Sequence, residues 1–144
     1  MGLRRAQESD LDRVAELEQC FAMPLSREEL GKVAQNDLFH VMIWERDEEI
    51  CGHCILYRVC DEAEITSFSV DKALRGQGIG TEFLSELLHY LNDDGAKIAY
   101  LEVRESNLAA QRLYEKCGFA VIGRRKRFYE KPVEDALAMG IELA

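Results

Sequence analysis

Three glycines at alternate positions, Gly76, Gly78 and Gly80, lie between two apolar segments and fix how the middle of the chain can fold. Ile65 to Val70 precedes them, and Ile79, Phe83, Leu84, Leu87, Leu88 and Leu91 follow at helical spacing. The pattern reads as strand, glycine-rich turn, helix. Without Cβ atoms such a turn lets backbone come close to a ligand. The helix behind it begins with N–H groups that have no intrahelical acceptor and with a partial positive charge. Both suit phosphate oxygens, and Arg75 adds a guanidinium just ahead of the turn. A Walker loop would need Gly-Lys-Ser/Thr at its end, which is missing. A dinucleotide fingerprint would need a glycine where Thr81 stands. Two readings stay open on the residues alone: a phosphate cradle written Arg75-x-x-Gly78-x-Gly80, and a turn that binds nothing.

The 144 residues suit one domain, spanning 1–144, with room for a substantial core. No apolar run is long enough to cross a bilayer, and Met1–Glu8 lacks the apolar stretch of a signal peptide. Gln7 occupies the position where a myristoylation motif needs Ser or Thr. The expected location is the cytoplasm, with no membrane partner. A net charge of −9, from 18 basic and 27 acidic residues, argues against nucleic acid as the main ligand and suits a basic peptide or amine. Solubility alone is the competing explanation.

Cys20, Cys51, Cys54, Cys60 and Cys117 form an odd set with no secretion signal, so free thiols are expected. Cys51-Gly52-His53-Cys54 has the spacing of a thiol-disulfide active site, but such motifs open a helix. The flanking Ile50, Ile55, Leu56, Tyr57 and Val59 predict a strand instead, with the two thiols on opposite faces. No second Cys/His pair stands at ligand spacing, so no metal is expected.

In chain order the pattern predicts a strand at Leu3–Ala6, a helix capped by Ser9 to about Cys20, and a second helix opened by the capping box Ser26-x-x-Glu29. Strands follow at Phe39–Trp44, Ile50–Val59 and Glu64–Val70, joined by turns short enough for an antiparallel meander. The glycine turn and its helix lead by a right-handed crossover to a parallel strand, Ile98–Val103. A helix capped by Ser106 or Asn107 runs to Cys117; Phe119–Ile122 and Arg127–Tyr129 together read as a strand, and Ala136–Leu143 as the last one. The fold class is α+β: a mixed, mostly antiparallel sheet of about seven strands with helices on both faces.

Glu102 is out of place in that scheme. A crossover strand should be covered on both faces and nearly all apolar, yet a carboxylate ends Ile98-Ala99-Tyr100-Leu101. Either it pairs with Arg104 or Lys97 at the surface, or it serves chemistry at the carboxyl edge where ligands bind between parallel strands. Asn107 and Tyr114, seven residues apart, share one helix face. The competing roles are a simple cap for Asn107 and core packing for Tyr114.

Arg75-x-x-Gly78-x-Gly80 resembles the acetyl-coenzyme A pyrophosphate loop of the GNAT N-acetyltransferases, and the element order resembles that fold over the whole chain. Leu101–Asn107, Leu113–Phe119, Arg125-x-Arg127-Phe128-Tyr129 and Glu134-Asp135-Ala136-x-x-Met139 are similar to the bacterial RimI-type branch, which acetylates the N-terminal alanine of a small-subunit ribosomal protein. The resemblance implies Glu102 as general base and Tyr114 as general acid. It implies acetyl-CoA contacts for Phe68, Ser69, Val70, Arg75, Gly76, Gln77, Gly78, Ile79, Gly80, Thr81 and Asn107. It also implies a protein N-terminus as acceptor, and the chain is expected to be a monomer or weak dimer that contacts no nucleic acid directly. Two departures touch the acceptor side. Met23-Pro24-Leu25 stands where the branch shows aromatic-Pro-Trp, and Phe128 where it shows the first tyrosine of a pair. Acetylation of a small amine or a lysine, a non-catalytic acyl-CoA sensor and a thiol oxidoreductase are the alternatives. The basic cluster Arg124–Arg127 reads as a solvated edge strand ahead of a coenzyme or RNA contact.

Overall fold

The computed structural model describes residues 2–143. Its elements are β1 (Gly2–Arg5), α1 (Leu11–Glu18), α2 (Arg27–Gln35), β2 (Phe39–Arg46), β3 (Glu49–Val59), β4 (Glu62–Val70), α3 (Ile79–Asp93), β5 (Ile98–Arg104), α4 (Leu108–Lys116), β6 (Ala120–Tyr129) and β7 (Glu134–Glu142). The strands form one sheet in the order β1-β2-β3-β4-β5-β7-β6. Only β4 and β5 run parallel, as a helical crossover requires; the other pairs are antiparallel.

Strand alternation sorts the apolar side chains onto two faces. Val41 and Ile43 of β2 pack with Leu11 and Val14 of α1 and Leu30 of α2. Met42 and Trp44 pack on the other side with Phe83, Leu84 and Leu87 of α3. Phe83 is the hub of that side, with ring centroids 5.7 Å from Trp44 and 4.7 Å from Phe68. Burial of each such side chain contributes about 1.5–3 kcal/mol, so the α3 stripe largely fixes that helix against the sheet.

The local signals held at α2, where Ser26 Oγ accepts from the Glu29 N–H at 3.1 Å and Glu29 Oε1 accepts from the Ser26 N–H at 2.9 Å. They failed at Ser9, which lies inside a short 3-10 turn, Glu8–Asp10. There the Gln7 N–H donates to Asp10 Oδ2 at 2.7 Å, so the carboxylate three residues on closes the turn. At the C-terminal end β6 is one continuous strand from Ala120 to Tyr129, because pairing with β7 carries it across the Gly123 region.

A bulge in β4 makes the opening on which the site depends. Ile55 of β3 faces Ser67 while Leu56 faces Ile65, leaving Thr66 unpaired, its hydroxyl bonded to the Ile55 carbonyl at 3.1 Å. A bulge bends its strand, and parallel pairing with β5 stops at Ile65–Leu101. Beyond that point β4 stays with β3, where Gly52 faces Val70. β5 stays with β7, where Arg104 faces Ala136. The two strands therefore splay at their carboxyl ends.

The expectation that β5 is covered on both faces is not met. Ala99, Leu101 and Val103 are buried, whereas Ile98, Tyr100, Glu102 and Arg104 are half-exposed. On the other face α1 packs chiefly on β3 and β4 and α2 on β2.

Candidate active site

The splay opens a cleft of about 620 Å³ bounded by β4, the glycine turn, the start of α4 and the end of β5. Phe68, Ser69, Val70, Arg75, Gly76, Gly78, Ile79, Gly80, Glu102, Asn107 and Tyr114 all line it. Gln77 and Thr81 do not: Gln77 is exposed on the turn, and Thr81 sits in the first turn of α3.

Gly76 and Gly78 have φ of +83° and +78°, with open space where a Cβ would project. Such angles favour glycine. Gly80 works differently, since a Cβ there would lie 3.3 Å from Leu113 Cδ2, so this glycine lets α4 pack on α3. Gly78 supplies no side-chain cap, and the first bond into α3 is Glu82 N–H to Gly78 O at 3.2 Å. The N–H groups of Ile79, Gly80 and Thr81 precede that bond and lack intrahelical acceptors. Bare amides at a helix N-terminus beside Arg75 fit a diphosphate. The turn is anchored from behind by Asp71, whose carboxylate accepts from the Ala73 N–H at 2.9 Å and pairs with Arg13 of α1. Arg13 also donates to the Ile50 carbonyl at 3.1 Å. Nothing in the sequence marks Arg13, a surface-helix arginine with no motif around it.

Glu102 follows the last residue of β5 paired with β4 and so projects where the strands part. Burial pushes its carboxyl above the usual range, and the nearby Glu64 charge adds to this against the pull of Arg125. The surface pairing with Arg104 does not occur. That guanidinium instead binds Glu134 at 3.2 Å and the carbonyls of Pro132 and Glu130, both at 2.9 Å. Tyr114 of α4 is buried between Phe68 and Phe119. Burial holds its phenol well above the usual range, so it keeps its proton. Asn107 caps α4, its Oδ1 accepting from the Ala110 N–H at 3.1 Å, and lines the cleft as well.

Tyr129 also lines the cleft, and its phenol is pushed up to about 12 by burial and then by the Glu102 charge. The Arg104 guanidinium lies 4.5 Å from its ring centroid. Between Arg125–Ala136 and Tyr129–Glu134 the β6–β7 register skips, and the Arg127 N–H bonds Asp135 Oδ1 at 2.9 Å. This bulge aims Tyr129 inward. Its only sequence signal was the Arg-x-Arg-Phe-Tyr likeness. Cys20, Phe21 and Ala22 close the opposite wall.

The basic cluster lies on the exposed edge strand β6, as expected. Arg124 pairs with Glu105 at 2.8 Å and Asp135 at 3.4 Å. All five cysteines are free. Cys51 and Cys54 lie in a strand, but both join the apolar cluster on the α3 side, contrary to the opposite-face expectation. The register skips from Trp44–Gly52 to Glu45–Ile50, which leaves Cys51 unpaired and changes its facing. Among the described residues no group of three or more His, Cys, Asp or Glu is arranged to hold a metal, and no helix is long and apolar enough to cross a membrane.

A splayed sheet with a bare-amide cradle on one lip and a half-buried carboxylate on the other defines an N-acetyltransferase. The chain belongs to the acetyltransferase (GNAT) family, whose model matches residues 7–119. Among its relatives, the ribosomal protein bS18-alanine N-acetyltransferase of Haemophilus ducreyi is 33% identical over 94% of this chain and 96% of its own. The protein of that name from Haemophilus influenzae is 34% identical over 93% of each. The crystal structure of the ribosomal-protein-S18-alanine N-acetyltransferase from Escherichia coli superposes with a TM-score of 0.89 at 28% identity, covering 99% of this chain and 93% of that one.

Proposed function

We propose that this enzyme transfers the acetyl group of acetyl-CoA to the α-amine of a protein N-terminus, the N-terminal alanine of a small-subunit ribosomal protein. The names of the Haemophilus relatives support the acceptor, and their coverage of nearly the whole chain makes a single catalytic domain the natural reading. A cytoplasmic site of action follows from that acceptor. The observation that carries the chemistry is the position of Glu102, half-buried in the cleft opposite the bare amides of the glycine turn.

Acetyl-CoA supplies an activated thioester. Arg75 and the amides of Gly76–Thr81 hold its phosphates, and Phe68–Val70 and Asn107 flank the rest of it. An α-amine has a pKa near 8 against about 10.4 for lysine, so it yields its proton more readily. Glu102, raised toward neutrality by burial, accepts that proton directly or through one water. Backbone N–H groups where β4 has lost its parallel partner polarise the acyl oxygen. Tyr114, protonated throughout the working range, gives its proton to the departing thiolate, whose parent thiol has a pKa near 8.5. No covalent enzyme intermediate is needed, which leaves the cysteines without a catalytic part.

The test is a panel of acceptors with acetyl-CoA, followed by thiol release. Alanine-starting peptides should turn over faster than lysine peptides or polyamines. Equal or greater turnover of the polyamines would reject the acceptor, and saturable binding without turnover of any amine would reject catalysis.

A further inference from the structure

We infer that Glu18, His53 and Ser69 form a positioning network that fixes the loop Phe21–Leu25 against strand β4, and so sets where the acceptor amine stands relative to the acyl group. The inference rests on the reaction proposed above. His53 is the histidine of the Cys-Gly-His-Cys segment, and no step of that reaction uses it. It is 0% exposed, with Glu18 at 2% and Ser69 at 5%. Its Nε2 lies 2.6 Å from Glu18 Oε2 and its Nδ1 lies 2.6 Å from Ser69 Oγ. An ionised carboxylate only accepts hydrogen bonds. Nε2 therefore carries a hydrogen and donates to Glu18, while Nδ1 shares a hydrogen bond with the Ser69 hydroxyl. Burial works against the charge on Glu18, but its bonds to His53 and to the Leu25 N–H hold the carboxyl below the usual range.

Glu18 pins both ends of the loop. Its backbone carbonyl accepts from the Phe21 N–H at 3.0 Å, and its Oε1 accepts from the Leu25 N–H at 3.0 Å. The segment between belongs to no helix or strand, and Phe21 and Ala22 form one wall of the cleft. The Phe21 ring stands edge-on to the imidazole, centroids 6.1 Å apart. At the other end of the network, Ser69 belongs to the bulged strand β4, which also lines the cleft. One chain of hydrogen bonds thus ties the acceptor wall to the acyl-binding strand. Apolar residues of similar volume would often be as stable in such a place, and what a fully satisfied polar network adds is a unique geometry. Small misplacement of a reacting group costs rate steeply, so a loop that forms one wall of the cleft gains from being pinned.

The experiment compares wild type with H53L, H53Q and S69A. Leucine removes both partners' contacts. Glutamine restores a donor toward Glu18 and an acceptor toward Ser69. The alanine removes only the distal hydroxyl and keeps a folded variant in hand if H53L does not fold. Amide hydrogen exchange at Leu25 should accelerate about tenfold or more in H53L and partly in S69A, with near-wild-type protection in H53Q. The KM for an alanine-starting peptide should rise about tenfold in H53L while acetyl-CoA affinity by calorimetry stays within about twofold, and H53Q should recover most of the loss. Unchanged Leu25 exchange in the folded variants would overturn the network. So would a lowered melting temperature with an unchanged acceptor KM, which marks a purely stabilising role. If exchange responds as stated but wild type acetylates no α-amine, the pinned loop stands and the acceptor assignment falls.

Discussion

Replacing Gly52 by alanine tests whether the close approach of β3 to β4 holds the cleft in shape. Gly52 faces Val70 across the ladder, and a Cβ built on it would lie 2.5 Å from the Ser69 carbonyl oxygen and 3.1 Å from Phe83 Cε2. The first of these is backbone, which cannot rotate away, so β4 must shift by several tenths of an ångström. Overpacking of a well-packed core costs about 1–3 kcal/mol. The more restricted unfolded chain of the alanine variant offsets about 0.4–1 kcal/mol of that. The net loss is then roughly 0–2.6 kcal/mol, or up to about 10 °C in melting temperature for a chain of this length. Because the residues displaced are Ser69 and its neighbours, acetyl-CoA affinity should weaken along with stability. Differential scanning calorimetry with a parallel binding titration reads both. An alanine variant that melts at or above the wild-type temperature and binds acetyl-CoA normally would refute the reasoning.

Glu102→Gln should lower kcat/KM about 10²–10⁴-fold, the range for loss of a general base. The wild-type rate should rise with pH through the elevated Glu102 value, and that limb should vanish in the glutamine variant; a limb that persists would assign it to another group. Tyr114→Phe should slow turnover while leaving acetyl-CoA affinity within about twofold, since only the proton donor is lost. Lost affinity would make the tyrosine structural. Glu18 sits below its unfolded range, so its contribution to stability is complete above about pH 4.3 and is lost as pH falls through the lower folded value. Glu18→Gln should therefore show a shallower loss of stability than wild type between about pH 5 and 3, read from urea melts at stepped pH.

The order of elements was legible because each long segment carries one clear periodicity, as the α3 stripe and the Ser26 box illustrate. The glycine turn was legible too, since positive φ at Gly76 and Gly78 admits few other residues. What the sequence hid is pairing register. The bulges at Thr66, at Cys51 and between Arg125 and Tyr129 depend on which residues face each other across strands. These bulges open the cleft, turn Cys51 toward Cys54 and bring Tyr129 into the site. Glu102 was noticed for a reason that proved partly mistaken, because β5 is covered on one face only. The Glu18–His53–Ser69 bonds span sequence separations of 35 and 16 residues, beyond any local pattern.

The most direct test is the melting temperature of the purified protein in acetyl-CoA. If the amides of the turn grip a diphosphate, ligand at about 100 times its Kd adds about 2.7 kcal/mol. That corresponds to a rise of roughly 5–11 °C in melting temperature. A melting point unmoved by millimolar acetyl-CoA would contradict the account at its root.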